Sequence, residues 1–181
     1  MAKLISKTYG DALFELAVEE GKVDVLLEET RQLQKVLSEN IEFGRLMNHP
    51  KIIKEEKIQV AKNVFEGRIS DELLGLLTIV IAKDRYKDID TILDYFIGEV
   101  KKYQGIGIAT VTTAVPLKEA QCKKIEQKLL DTTEYTEMEM HYNLDASLIG
   151  GMTIRIGDRV VDCSIKTKLN ELQKELLKVQ I

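Results

Sequence analysis

The sequence is poor in the residues that carry most catalytic and metal-binding chemistry. Its 181 residues include no tryptophan, two cysteines, two histidines and two prolines. Two cysteines cannot form a disulfide framework, so nothing in the chain indicates an oxidising compartment. No apolar run reaches the roughly 20 residues of a bilayer span, and the first residues lack the apolar core of a secretory signal. We therefore expect a globular chain without a signal or a membrane-spanning segment.

The chain also lacks an excess of positive charge. It has 26 Lys and Arg against 30 Asp and Glu, which gives a formal net charge of −4. A protein that binds nucleic acid or an anionic membrane through electrostatics needs a basic surface. Aromatic residues make up 6% of the chain and are scattered, so no stacking platform for bases is indicated. Composition therefore argues against nucleic-acid binding and against direct membrane insertion.

The first hundred residues repeat apolar side chains at the spacing of α-helices. Leu26, Leu33 and Leu37 are seven and four residues apart, which places them on one face of a helix. Glycines such as Gly21 interrupt the pattern at helix ends. Six such segments with brief connections predict an all-α bundle over residues 1–105.

The fifth of these segments is apolar nearly all round. Seven of the nine residues from Leu73 to Ile81 are apolar, which predicts burial on more than one side. Ser70 precedes the segment, and its hydroxyl is predicted to cap the helix. Asp71 and Glu72 suit the positive end of the helix dipole.

At Gln104–Gly105 the pattern changes from helical to extended. Residues 106–115 are uncharged and rich in β-branched side chains, which predicts a strand buried on both faces. Residues 138–144 alternate apolar and polar, which predicts a half-buried strand, and residues 152–161 predict a hairpin that turns at Gly157–Asp158. Helices are predicted over residues 120–130 and after Ser164, which is expected to cap the last one. Residues 106–181 therefore predict a small α+β domain.

The sequence contains no motif that is typical of a catalytic, phosphate-binding or metal-binding site. The pair Gly150-Gly151 precedes a strand instead of joining a strand to a helix, so it predicts a tight backbone turn and not a phosphate loop. No spacing of His, Cys, Asp or Glu matches a metal site. The sequence therefore predicts no catalytic residues, no cofactor and no metal.

The surface of the first helix leaves two interpretations open. Small and large side chains are combined around more than one face, namely those of Tyr9, Gly10, Ala12, Leu13, Leu16 and Ala17. Small residues allow a neighbouring helix to approach closely. The face either packs inside the bundle or forms a groove for the amphipathic helix of a partner.

Short runs of residues along the whole chain form a long and specific pattern. They are Tyr9-x-x-Ala12-Leu13-Phe14-x-x-Ala17, Asn48-His49-Pro50, Leu73-Leu74-x-Leu76-Leu77 with Arg85, Ala114-Val115-Pro116-Leu117, Met138-x-Met140, Leu144-Asp145 with Leu148, Gly150-Gly151-Met152, Ile154-Arg155 with Gly157, and Asp158-Arg159-Val160-Val161-Asp162-Cys163-Ser164-Ile165 with Leu169 and Leu172. In order and spacing these runs resemble the delta subunit of bacterial F-type ATP synthase, which is related to the mitochondrial oligomycin-sensitivity-conferring protein.

The resemblance implies a fold and a mechanical function. The family has a six-helix amino-terminal domain and a smaller α+β carboxy-terminal domain, at positions that correspond to residues 1–105 and 106–181. Its members are non-catalytic subunits of the peripheral stalk, or stator. The amino-terminal domain would bind the amino-terminal helix of an alpha subunit, and the other domain the carboxy-terminal region of the b subunits. The link would resist co-rotation of the catalytic head, so that proton transport is coupled to ATP synthesis.

The resemblance also implies a location and particular residues. The subunit would be held by its partners at the cytoplasmic face of the cell membrane, as a peripheral protein. The family's groove for the alpha helix lies between the first and fifth helices. Carried over by position, the groove residues are Tyr9, Ala12, Leu16, Ile79 and Lys83. The carboxy-terminal signature residues that we assign to the fold are Gly150, Gly151, Gly157, Asp162 and Ser164.

Three residues depart from the family's pattern. Gly10 stands where alanine is common, which lowers helix propensity by about 1 kcal/mol. Lys118 stands where a serine or threonine often caps a helix, so a weaker helix start is expected. Cys163 stands where glycine is usual, so the backbone there either does not need a positive φ or is strained.

Two other functions compete with the stator subunit. One is a stand-alone adaptor that binds another amphipathic helix in the groove. The other is an enzyme with Cys163 as nucleophile and His141 as base, although nothing in the sequence brings these two residues together.

Overall fold

The chain consists mostly of helices, with a small sheet in its carboxy-terminal part. A computed structural model describes the backbone of residues 2–179 and the side chains of residues 4–177. The chain divides into two compact units, residues 1–101 and 102–181. The regular elements are α1 Ala2–Glu19, α2 Val23–Glu39, α3 Ile41–Met47, α4 Lys54–Phe65, α5 Asp71–Ala82, α6 Ile89–Tyr103, β1 Ile106–Thr113, α7 Glu119–Thr132, β2 Glu137–Leu144, β3 Met152–Ile156, β4 Arg159–Asp162 and α8 Ile165–Val179. Short 3₁₀ turns lie at Tyr86–Asp88 and Ala146–Leu148.

The helices of the first unit bury one apolar stripe each. In α2 the buried side chains are those of Leu26, Leu27, Thr30, Leu33 and Leu37. Their spacing is the helical period, so the predicted face is confirmed. Side chains from α1 to α6 join in a single hydrophobic core, which accounts for the cohesion of this unit.

Gly10 lets an aromatic ring lie directly on the backbone of α1. A Cβ atom at this position would be 2.4 Å from Cδ1 of Tyr95, which lies on α6. The Tyr95 hydroxyl donates a 2.8 Å hydrogen bond to Asp11 Oδ1, so the ring is held in place. The absence of a side chain at Gly10 therefore serves close packing, which the propensity argument alone does not capture.

The prediction that the Ser70 hydroxyl caps α5 is wrong. Ser70 occupies the position before the helix, but its hydroxyl makes no capping hydrogen bond and is buried without a partner. The backbone N–H of Ser70 instead donates to Glu29 Oε2 at 3.0 Å. A carboxylate 41 residues away in sequence thus holds the start of this helix.

The sheet of the second unit has the order β2-β1-β3-β4. β1 pairs in parallel with β2 and antiparallel with β3, and β3 and β4 form the predicted antiparallel hairpin. A parallel pair needs a crossover connection, and α7 supplies it. The central strand is therefore β1, and the edges are β2 and β4.

The two predictions for strand burial need correction. β1 alternates between buried and half-buried residues, so it is buried on one face and partly covered on the other. β2 begins with the buried Met138, but Tyr142 and Leu144 are exposed. A strand without charged residues can be buried on both faces. This requires that other side chains cover both faces of the sheet. As an edge strand, β2 has a neighbour on one side only.

The helices of the second unit begin with different caps. At α7, Lys118 donates its backbone N–H to Gln121 Oε1 at 2.9 Å, so Gln121 provides the cap that the lysine side chain cannot. At α8, Ser164 Oγ accepts a 3.2 Å hydrogen bond from the Thr167 N–H, as predicted. Asp162 Oδ1 in turn accepts the Ser164 N–H at 2.8 Å. Asp162 and Ser164 thus join β4 to α8.

Three glycines fit the backbone closely or reverse its direction. Gly151 has a φ of +76°, and a Cβ there would lie 2.3 Å from the carbonyl oxygen of Cys163. A Cβ at Gly150 would lie 2.6 Å from Cδ1 of Ile165. Gly157 turns the hairpin at a φ of +57° with open space around it. The predicted tight backbone at Gly150-Gly151 is confirmed, and Cys163 is not among the described residues with positive φ.

Candidate partner-binding surfaces

Two contacting helices carry the residues that the sequence assigns to a groove. α1 supplies Tyr9, Ala12 and Leu16, and α5 and the residue after it supply Ile79 and Lys83. Tyr9 and Leu16 are half-buried, whereas Ala12 and Lys83 are exposed. Ile79 is 51% exposed, although it belongs to the most apolar helix of the unit. We call these five residues the α1/α5 surface.

Ala12 lies on the outer side of α1. Its neighbours Leu13 and Ala17 are buried in the core, but Ala12 itself faces outward. Ala12 therefore does not share the core-facing side of α1 with these residues. A small exposed side chain leaves a shallow place on the α1/α5 surface where another helix can approach.

Arg85 adds a cation beside Tyr9. Its Nη1 lies 3.4 Å from the Tyr9 hydroxyl oxygen, and its guanidinium carbon lies 5.7 Å from the centroid of the Tyr9 ring. Both distances suit a stabilising contact between a cation and an aromatic side chain. With Lys83 nearby in sequence, this end of the α1/α5 surface carries positive charge. Arg85 was part of the sequence pattern but was not assigned to this surface, because a sequence separation of 76 residues from Tyr9 conceals their contact.

The last helix exposes its apolar face. Leu172, at the middle of α8, is 55% exposed. The other exposed apolar residues of α8 are Ile165, Leu169, Leu176 and Leu177. Spacings of three, four and seven residues place most of them on one side of the helix. We call this row the α8 ridge. The helices of the first unit bury their apolar faces in the core, whereas the α8 ridge is exposed.

A loop residue under backbone strain lies next to the α8 ridge. Ile149 has a φ of +67°, which a β-branched residue rarely adopts, and its side chain is exposed. It precedes Gly150, which lies against Ile165 at the start of α8. The fold thus holds a large apolar side chain outward beside the ridge, at a cost of about 1–3 kcal/mol.

A cavity of about 1190 Å³ lies between α7 and one face of the sheet. Ile125 and Leu129 of α7 and Ile154 of β3 contribute apolar walls. Lys128 and Arg159 also line it. We call it the α7 cavity. It leaves apolar side chains of both the helix and the sheet in contact with solvent.

The structure separates the residues of the suggested catalytic pair. His141 lies on β2 and Cys163 follows β4, and these strands are the opposite edges of the sheet. Three strand spacings amount to about 14 Å, so a hydrogen bond between the two side chains is excluded. His141 Nε2 lies 3.3 Å from Glu139 Oε1 instead. The two residues therefore do not form the dyad that the enzyme alternative requires.

The described part of the chain also lacks a metal site and a membrane-spanning helix. Within residues 2–179 no group of three or more His, Cys, Asp or Glu side chains could hold a metal ion. None of the helices described there is long and apolar enough to cross a bilayer.

The polar junction before α8 perturbs one carboxyl group. Hydrogen bonds from the Ser164 N–H and the Thr167 hydroxyl lower the pKa of Asp162 below its ordinary value. The folded chain therefore stabilises the ionised form of the Asp162 carboxyl group. This makes Asp162 a part of the fold and not a proton donor.

Comparisons with known proteins cover nearly the whole chain. Residues 5–176 match the family described as ATP synthase delta (OSCP) subunit. A protein named ATP synthase subunit delta from Lachnoclostridium phytofermentans is 51% identical over 181 residues, with both chains fully covered. A protein of the same name from Alkaliphilus oremlandii is 34% identical over 181 residues, again with full coverage of both. A chain in the cryo-EM structure of the Toxoplasma gondii mitochondrial ATP synthase hexamer matches with a TM-score of 0.76 at 20% identity, over 95% of this chain and 97% of that chain.

Proposed function

Because this chain belongs to the ATP synthase delta (OSCP) family, we propose that its two units bind different partners and so connect the catalytic head to the stalk. The family assignment makes the chain a structural component of the peripheral stalk of F-type ATP synthase and not a catalytic subunit. The same assignment does not favour the stand-alone adaptor. The subunit would reside at the cytoplasmic face of the cell membrane, held there by the complex.

The first unit, in this proposal, is a six-helix bundle that binds the amino-terminal helix of the alpha subunit. The observation that carries the proposal is an exposed, apolar Ile79 on α5 and a small, exposed Ala12 on α1, two helices that contact each other. A partner helix that covers Ile79 and the half-buried Leu16 would remove apolar area from water. Tyr9 would contribute a polar edge, and Lys83 would favour an acidic residue on the partner.

Calorimetric titration of the full chain with an alpha-subunit amino-terminal peptide from the same organism tests this binding. We expect saturable one-to-one binding with a Kd in the micromolar range or tighter, about −8 kcal/mol or better. Ala12→Phe should weaken binding at least tenfold because the ring fills the shallow place on α1. Ala120→Phe, the same change on the exposed α7 position, serves as the matched control.

Two outcomes would contradict the α1/α5 surface. If Ala12→Phe binds the peptide as tightly as the original chain, the partner lies elsewhere. If the variant instead loses helicity throughout the first unit, as circular dichroism would report, Ala12 belongs to the core.

The second unit, in this proposal, binds the carboxy-terminal region of the b subunits along the α8 ridge. Exposed apolar residues at helical spacing suit a helix from a partner, since both could then bury an apolar face. Leu172→Glu would place a charge in the middle of the ridge. It should reduce binding of a b-subunit carboxy-terminal peptide at least tenfold, as measured by titration calorimetry.

Gln173→Glu adds the same charge one residue further along the exposed helix and is the control. If both variants lose affinity equally, the effect is general repulsion and the ridge is not the binding face. If neither changes affinity, the b subunits bind another surface, for which the α7 cavity is the next candidate.

A further inference from the structure

A second cavity, within the first unit, is lined by two buried polar side chains. It has a volume of about 600 Å³ and includes the N-terminal end of α4 and the residues that follow α5. Lys57, on α4, is 6% exposed, and Tyr86 is 7% exposed. Both line the cavity. Among the described residues, neither the Lys57 ammonium nor the Tyr86 hydroxyl has a hydrogen-bond or ion-pair partner, and both groups open onto the cavity because neither is fully enclosed.

One carboxylate interacts electrostatically with Lys57, but it is already paired with another lysine. Asp84 lines the same cavity, but its Oδ2 lies 2.6 Å from the ammonium of Lys54. That hydrogen bond is the first cause of the lowered pKa of Asp84, and Lys57 contributes only through its more distant charge. The side chain of Lys57 is buried, but its ammonium opens onto the cavity and has no close partner among the described residues there. The Lys57 ammonium therefore lacks a close counter-ion that this chain could supply.

The N-terminus of α4 adds unpaired donors to the same cavity. Ile53 occupies the capping position, and an apolar side chain there cannot accept from the first N–H groups of the helix. These N–H groups and the helix dipole favour an anion at this end. A helix N-terminus alone would not define a site, but here the buried side chain of Lys57 directs an ammonium without a described partner into the same space.

The charges around the cavity are predominantly positive. Lys51 and Lys87 line it and are exposed, so they can reach a ligand from the solvent side. Lys54 and Asp84 neutralise each other. Lys51, Lys57 and Lys87 then face one remaining carboxylate, that of Glu55. The excess of two positive charges matches a divalent anion better than a single carboxylate.

We propose that this cavity binds a phosphate-class oxyanion. A tetrahedral dianion offers several acceptor oxygens, which suit the Lys57 ammonium, the Tyr86 hydroxyl and the free N–H groups of α4 at once. The ligand is either inorganic phosphate or the phosphoryl group of a nucleotide, since both have the same acceptor geometry. This site is separate from both proposed partner surfaces, so its failure would leave the stator function untouched.

The test is a titration of the ¹⁵N-labelled full chain with sodium phosphate at constant ionic strength and neutral pH. Amide resonances of Lys54, Glu55 and Glu56 should shift and saturate. Lys57→Met keeps an apolar stem in the buried position without the charge, and it should weaken binding at least tenfold. Lys62→Met, at an exposed position of the same helix, should bind as the original chain does.

Shifts that grow linearly without saturation, or equal affinity in Lys57→Met and Lys62→Met, would overturn the proposal. If Lys57→Met does not fold, the double variant Lys51→Gln/Lys87→Gln replaces it, because both side chains are exposed. That variant should also bind phosphate more weakly, and unchanged affinity would count against the site. A parallel titration with ADP separates the two sources, since tighter binding of ADP identifies a nucleotide and equal or weaker binding identifies free phosphate.

Discussion

Helices α5 and α8 have apolar residues at similar spacing and opposite surroundings. In α5, Leu73, Leu77 and Val80 are completely buried. In α8, Leu169 and Leu172 are half exposed. Helical periodicity indicates which residues share a face of each helix. Whether the chain itself covers the face depends on the neighbouring elements, and these differ between the two units.

The distribution of buried side chains shows the same contrast. Among the side chains that the structure describes, twenty buried apolar residues belong to the core of the first unit. Four lie in the second unit, namely Ala109, Val111, Met138 and Leu148. Hydrophobic burial is the main stabilising contribution to folding, so the first unit is largely stabilised by its own core. The second unit leaves apolar surface available for other chains.

The largest expected effect contrasts a buried leucine with an exposed one. Leu77→Ala, at a side chain with 0% exposure, should reduce the free energy of unfolding of the first unit by about 3–5 kcal/mol. Leu172→Ala should change the stability of the isolated chain by less than about 0.5 kcal/mol. Amide hydrogen exchange in each unit measures both values. A loss above about 2 kcal/mol for Leu172→Ala would mean that the α8 ridge is covered in solution, which would break the comparison.

The second prediction concerns backbone fit in the unit with the smaller core. Gly151→Ala should destabilise the second unit by about 3 kcal/mol, because the new Cβ meets a backbone carbonyl and the residue has a positive φ. Gly157→Ala also has a positive φ but open space around it, and it should cost about 1 kcal/mol. Denaturant unfolding followed by NMR separates the two. Equal losses of stability would show that the positive φ alone accounts for the effect. The backbone at Cys163 would then be able to move away from the new Cβ.

The third prediction tests close packing in the first unit. Gly10→Ala gains helix propensity of about 1 kcal/mol, but the clash with the ring of Tyr95 should cost about 1–3 kcal/mol. We expect a net loss and a lower Tm. Gly98→Ala, in α6, meets nothing within 4 Å and should raise the Tm by the propensity alone. A higher Tm for Gly10→Ala would mean that Tyr95 moves aside despite its hydrogen bond to Asp11.

The smallest expected effect concerns the acid sensitivity of the start of α8. The folded pKa of Asp162 is lowered, so its stabilising contribution is complete above its unfolded pKa of about 3.9. The contribution is lost as the pH falls from there through the folded pKa. Asp162→Ala should therefore be less stable than the original chain at neutral pH and should match it in strong acid. Thermal unfolding at several pH values measures the difference, and a pH-independent difference would exclude the ionised carboxylate as its source.

The sequence predicts features that depend on local spacing. The buried stripe of α2 follows from the helical period, because Leu26, Leu33 and Leu37 need only each other's positions. Ser164 caps α8 through Thr167, three residues away, and such short-range contacts are visible in a sequence. The order of the helices, strands and hairpin along the chain could be predicted for the same reason.

Features that depend on distant residues could not be predicted in this way. The Ser70 N–H is taken by Glu29, and Gly10 accommodates Tyr95, and neither partner is a sequence neighbour. The cavity at α4 had one available signal, since Lys57 lies four and eight residues before the buried Ala61 and Phe65 and so belongs to a buried stripe. A lysine at such a position indicates a buried charge, but the sequence cannot show that its counter-charge is missing.

The order of the strands determines how the second unit would carry tension. β1 runs from Ile106 at one end of the sheet, and β4 leaves at Asp162 at the opposite end, because β4 runs parallel to β1 with the antiparallel β3 between them. A pull between these two points acts along the strands, and the ladder hydrogen bonds are perpendicular to it. All the bonds that join β1 to β3 and β3 to β4 are then loaded together in shear. They cannot open one after another, as they would if the sheet were peeled from a single end.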